Sequence, residues 1–174
     1  PTGGNYVMVY NTAVGSVVAG GGYVDTQNGP FRRNLPAGTL AGDYIFPVGQ
    51  GAQYMPMILR SGAVTSGASY FEVTAYNTGS GGTPDCSTIT SLSSTDYWYG
   101  AYNSGTVNGD FQLTAPSVVA GSVIGTRVGL PATSTYAAPV GTPSVLGSTI
   151  TNNAAYSFGS TITFLTVASN SAPT

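Results

Sequence analysis

Glycine and proline interrupt this chain so often that they limit what it can fold into: 25 glycines and 11 prolines are spread through 174 residues. Inside a helix glycine costs about 1 kcal/mol and proline about 3 kcal/mol relative to alanine. The longest stretch without either, Asp85 to Tyr99, is rich in Ser and Thr rather than in helix formers. Between the interruptions lie short runs of Val, Ile, Thr, Tyr and Phe that alternate apolar with polar residues, the period of a half-buried strand. The predicted fold is all-β: an antiparallel two-sheet β-sandwich with long Gly/Ser/Thr-rich loops, since a parallel sheet would need crossover helices.

The individual runs give this prediction its detail. In Tyr54 to Arg60, Met55, Met57 and Leu59 share one face, and Pro56 marks an edge or a bulge. Ser69 to Asn77 places Phe71, Val73 and Ala75 inward and Tyr70, Glu72, Thr74 and Tyr76 outward, and it is expected to form a hairpin with the preceding run, Glu72 facing Arg60. Thr106 to Thr114 and Val123 to Leu130 follow the same rule. Tyr156 to Val167 reads as one interior strand with Tyr156, Phe158, Ile162 and Phe164 on a single face. The predicted core therefore contains Phe71, Val73, Phe111, Leu113, Phe158, Ile162 and Phe164. The polar connection from Thr78 to Ser94 is expected to be mobile.

One domain, residues 1–174, is expected, because a chain of this length buries roughly 70% of its unfolded surface around one core. Hydrophobic residues make up 41% of the chain and the formal charge is only −2, a combination unlike that of disordered segments. Four basic residues, all arginine, cannot neutralise many phosphates, so nucleic acid is not an expected partner. No apolar run approaches the roughly 20 residues of a spanning helix, so membrane insertion is not expected either. With 6% charged residues and no lysine, the surface lacks the charges that usually keep copies apart and block sheet edges.

The chemistry open to such a chain is narrow. Without histidine there is no Ser-His-Asp or Cys-His device, and without lysine no Schiff base or Ser-Lys pair. Cys86 is the only cysteine, and the acidic residues are too dispersed to nominate a calcium site or a glycosidase pair. The expectation is a protein that is no enzyme, with no cofactor and no metal. Exposed tyrosines and Trp98 are candidates for stacking on sugar rings, against the plainer reading that most of these rings are core.

Four clusters add a resemblance: Gly22-Tyr23-Val24-Asp25, Gly29-Pro30-Phe31-Arg32-Arg33, Asp43-Tyr44-Ile45-Phe46-Pro47-Val48-Gly49 with Tyr54-Met55-Pro56, and Tyr97-Trp98. Their order, together with the closing Phe164 to Ser169, resembles a β-sandwich domain common in secreted and cell-surface Bacteroidota proteins. The resemblance implies a passenger exported by the type IX route, its sorting domain removed, and it carries over no functional residues. Read on their own terms, Gly49 is expected to supply the positive φ of a turn, Arg32 and Arg33 to place one guanidinium on each face, and one of the two to sit over Tyr or Trp or pair with Asp25 or Asp43.

Asn5 to Thr12, the first run, is apolar on both faces, and such strands are usually covered on both sides. Residues 1–12 are thus a candidate exchanged or docking strand, with Tyr6, Val7, Met8, Val9 and Tyr10 as the candidate subunit contact. The expected function is an extracellular, non-catalytic, self-associating subunit of a surface filament or layer, its partners copies of itself. The alternative is an adhesin or carbohydrate-binding module that meets surface glycans.

Overall fold

The computed structural model describes residues 5–65, 69–129, 135–138 and 142–170. Strands follow one another as β1 (Val7–Val9), β2 (Val24–Asp25), β3 (Phe31–Leu35), β4 (Gly38–Thr39), β5 (Tyr44–Phe46), β6 (Val48–Gln50), β7 (Gln53–Tyr54) and β8 (Met57–Val64). Then come β9 (Ser69–Tyr76), β10 (Thr83–Pro84), β11 (Ser91–Tyr102), β12 (Val107–Thr114), β13 (Ser122–Val128), β14 (Thr135–Tyr136), β15 (Ser144–Leu146), β16 (Thr149–Phe158) and β17 (Thr163–Ser169). The helical turns among the described residues are short 3₁₀ segments at Val14–Ser16 and Thr26–Asn28. The all-β expectation holds, and no helix among the described residues is long and apolar enough to cross a membrane.

Two six-stranded sheets dominate. The first runs β1-β3-β9-β11-β17-β13, and the second runs β15-β16-β12-β8-β4 with β5 also paired to β8. A small third sheet joins β2, β6 and β7, and β10 pairs with β14. The pairing is antiparallel except at β1–β3, β2–β6 and β10–β14, which are parallel, so a purely antiparallel arrangement is corrected at these short strands.

Alternation along the long strands sends one row from each main sheet into a shared hydrophobic cluster. Phe71, Val73 and Ala75 of β9, Trp98 and Tyr102 of β11, and Leu165 and Val167 of β17 meet Met57 and Leu59 of β8, Phe111 and Leu113 of β12, and Ile150 and Phe158 of β16. Edge-on ring contacts run Phe31 to Phe46 to Phe71 to Phe158 to Phe111, with centroids 5.1 to 6.0 Å apart. Such pairs add about 0.5–1.5 kcal/mol each beyond the area they bury. Five of the predicted core residues, Phe71, Val73, Phe111, Leu113 and Phe158, are fully buried.

The other two, Ile162 and Phe164, are only half-buried. The run from Tyr156 to Val167 is two strands, β16 and β17, lying in different sheets. The break at Gly159 to Ile162 resets the alternation, so Thr163, Leu165 and Val167 face inward in β17. The expected hairpin between Tyr54–Arg60 and Ser69–Asn77 also fails, because β8 and β9 belong to different sheets. Glu72 accordingly meets Arg32 rather than Arg60, which lies 3.8 Å from Asp43. At the Gly49 position the backbone is ordinary strand, and Gly51 with φ 60 makes the turn.

The connection from Thr78 to Ser94 is pinned rather than loose. The Asp85 carboxylate accepts hydrogen bonds from the backbone N–H groups of Ser87, Thr88 and Ile89 and from both neighbouring hydroxyls, and these hold its pKa well below the usual carboxylate range, the Thr88 hydroxyl first. Ile89 is then buried with Tyr136 and Ala168 in a second small cluster. Cys86 at its tip is exposed and free.

Candidate functional site

Residues 5–16 form an arm laid along the edge of the first sheet. Its entry is fixed by Gly29, whose φ of 155 suits glycine and whose missing side chain makes room for the Asn5 carbonyl; a Cβ there would sit 1.5 Å from that oxygen. The Val7 N–H donates to the Pro30 carbonyl at 3.2 Å, and Val7, Met8 and Val9 pair in parallel with Phe31, Arg32 and Arg33. On the other side of β1 no strand follows among the described residues.

Past β1 the arm is held by body side chains that reach its carbonyl groups. Asn34 donates through Nδ2 to Tyr10 O at 3.2 Å, and the Tyr44 hydroxyl donates to Thr12 O at 3.1 Å. Arg33 donates through Nη2 to Ala13 O at 2.9 Å and to Val14 O at 2.6 Å, and through Nη1 to Ile45 O at 3.2 Å. Its guanidinium also lies 4.5 Å from the Tyr44 ring centre. Arg33 is fully buried, and that burial lowers its pKa, partly offset by the charge interaction with Tyr44. A buried cation with no carboxylate partner among the described residues is tolerable because carbonyl dipoles and an aromatic face surround it.

The alternation of the Arg-Arg pair aims Arg32 to the opposite face. Its guanidinium lies 4.3 Å from the Tyr6 ring centre and 4.8 Å from that of Tyr70, and its Nε donates to Glu72 at 3.0 Å. Tyr6, Met8, Tyr10, Arg32, Asn34, Ser69 and Tyr70 line a groove of about 300 Å³. Farther along this face Tyr76 stacks on Tyr97 at 4.5 Å, and Tyr99 and Phe164 continue the row. Burial pushes the Tyr97 and Tyr99 hydroxyls up to about 12.

The five residues singled out in the sequence thus come together on one edge, but unevenly covered. Tyr6 and Tyr10 are 52% and 72% exposed, Val7 is exposed, and Met8 and Val9 are half-buried. The strand itself is only three residues long, and in this single chain it lies along its own body. Trp98 is core, with Nε1 donating to Met55 O at 2.8 Å, and so is no sugar platform. Asp25 caps the turn at Gln27, and Asp96 is buried at a bulge in β11 accepting from the Ser117 hydroxyl at 2.6 Å.

The residues that hold the arm, Gly29, Arg33, Asn34 and Tyr44, were not foreseen as a set. The only signal was the Arg-Arg pair, which predicts one inward guanidinium but not its target. No protein family model, curated protein or solved structure matches the chain.

Proposed function

We propose that this chain is a non-catalytic, extracellular structural domain whose copies associate through the edge formed by residues 5–16. One observation carries this reading: of the nine large apolar side chains exposed among the described residues, four, Tyr6, Val7, Tyr10 and Val14, fall within residues 5–16. Exposed apolar residues scattered singly need no explanation, whereas a cluster along an open strand edge marks an interaction surface. Edges that must stay single are normally blunted with lysine, proline or inward charge, and β1 carries none of these. A net charge of −2 gives copies little reason to repel.

The architecture that suits this role is a two-sheet β-sandwich, supported by the line of phenylalanine rings that joins β3 and β9 to β12 and β16. Secretion, a surface filament or layer, and kinship with Bacteroidota surface domains rest on the motif order from Gly22 to Trp98 and on the nearly chargeless composition.

A second reading is an adhesin module that binds surface glycans. It is favoured by the groove in which the Tyr6, Tyr10 and Tyr70 rings lie beside Arg32 and Asn34, apolar faces next to hydrogen-bond donors. Light scattering against concentration, with electron microscopy of the assembled material, tests the first reading. Ordered polymers support it. A monodisperse chain that binds on a glycan array, with binding lost on Tyr70→Ala, replaces it with the second.

A further inference from the structure

We propose that copies of this chain associate by exchanging the arm, residues 5–16, so that each arm occupies the seat on its neighbour that it occupies here on its own body. This rests on the self-association reading above and specifies its geometry: the occupant of the seat is the same segment of a second copy, not a strand added outside β1.

The arm is attached by contacts that any copy can supply. Its carbonyl groups at Tyr10, Thr12, Ala13 and Val14 are taken by Asn34, Tyr44 and Arg33, and its first residue rests on Gly29. All four partners belong to the body, so an identical arm from a neighbour would meet an identical seat. Burial contributes less: Tyr6, Val7, Tyr10 and Val14 are exposed, so these hydrogen bonds, which a neighbour's seat supplies equally, carry most of the attachment.

The link between arm and body has the composition of a hinge. Gly20, Gly21 and Gly22 follow one another, none has a positive φ, and a Cβ built on any of them would meet nothing within 4 Å. Neither backbone geometry nor packing requires glycine there. What three glycines do supply is backbone freedom, at the cost of entropy when the arm docks. Exchange through such a hinge is a low-cost route to association, because every contact of the closed form is recovered in the open one.

Simple strand addition outside β1 fits less well. β1 offers three residues to a neighbour, and the helical turn at Val14–Ser16 already ends its extended backbone. Exchange instead engages the whole arm.

The test uses the full chain with Cys86→Ser, Asn5→Cys and Asn28→Cys. Residues 5 and 28 line one small cleft beside Gly29, so a short bis-maleimide joins arm to seat. The assembled material is cross-linked, denatured and sized. Exchange predicts covalent chains of two or more copies, and links confined to single chains overturn it. If the intact chain stays monomeric at every concentration, self-association fails and exchange with it; if it assembles while the links stay intramolecular, exchange alone fails. In a second arm, the chain lacking residues 1–16, with a β-type circular dichroism spectrum, is mixed with the Gly29→Ala chain. One has a vacant seat, the other a blocked seat and an intact arm. Exchange predicts a one-to-one complex in the mixture and none in either alone, and absence of that complex between folded partners overturns it.

Discussion

Arg33 Nη2 lies 2.6 Å from the carbonyl oxygen of Val14, and this contact ties the core-facing side of β3 to a segment on the surface. The same guanidinium binds Ala13 and Ile45 and covers the Tyr44 ring, so one buried side chain joins the arm to β3 of the first sheet and β5 of the second. Arg33→Ala is expected to lower stability by about 2–4 kcal/mol, since it opens a cavity and leaves carbonyl groups short of donors. Arg33→Lys should recover only part of this, because an ammonium cannot reproduce the planar fork. Urea denaturation of the three proteins checks both statements.

Gly29→Ala places a methyl group where the Asn5 carbonyl now lies. The expected result is local: hydrogen exchange at Val7 to Val9 accelerates while β9, β11 and β12 keep their protection. Uniform loss of protection across the core would show that the arm and body unfold together.

Phe158 touches Phe71, Phe111 and Tyr156 and is fully buried between strands of both main sheets. Phe158→Ala should therefore cost about 3–5 kcal/mol. In a chain of this size that corresponds to a fall in Tm of roughly 6–20 °C, measurable by calorimetry. Leu146→Ala, at an 85% exposed position, should change stability by less than about 0.5 kcal/mol.

Tyr97 and Tyr99 keep their protons up to about 12 in the folded chain, held up by burial, while an unfolded tyrosine titrates near 10. Between those values the unfolded state releases protons that the folded state retains, so stability present below about pH 10 is lost as pH rises toward 12. Absorbance at alkaline pH should show the Tyr97 and Tyr99 hydroxyls ionising only near pH 12. Tyr97→Phe should flatten the alkaline decline, and an unchanged decline would assign it to other groups.

Much of the architecture was legible because alternation is local. Phe71, Val73, Phe111 and Leu113 could be placed inside from two-residue periodicity alone. Ile162 and Phe164 could not, since the loop from Gly159 to Ile162 shifts the phase; Gly159 marks the interruption, but not the size of the shift or the change of sheet. The Glu72 partner was missed for a related reason: sequence proximity favoured Arg60, but the pairing of β3 with β9 brings Arg32 alongside. The doubly apolar run from Tyr6 to Tyr10 pointed to cover on both sides, whereas in the single chain it is an edge strand with Tyr6, Val7 and Tyr10 exposed. Its seat was not legible, because Gly29, Arg33, Asn34 and Tyr44 meet the arm only through tertiary structure.

Association of copies through residues 5–16 makes the oligomeric state depend on the arm. Sedimentation velocity of the intact chain and of the chain lacking residues 1–16, over a range of concentrations, tests it most directly. The intact chain should sediment faster as concentration rises, while the truncated chain, folded by circular dichroism, remains a monomer. Equal association of the two proteins, or a monomeric intact chain at the highest concentration, would contradict it.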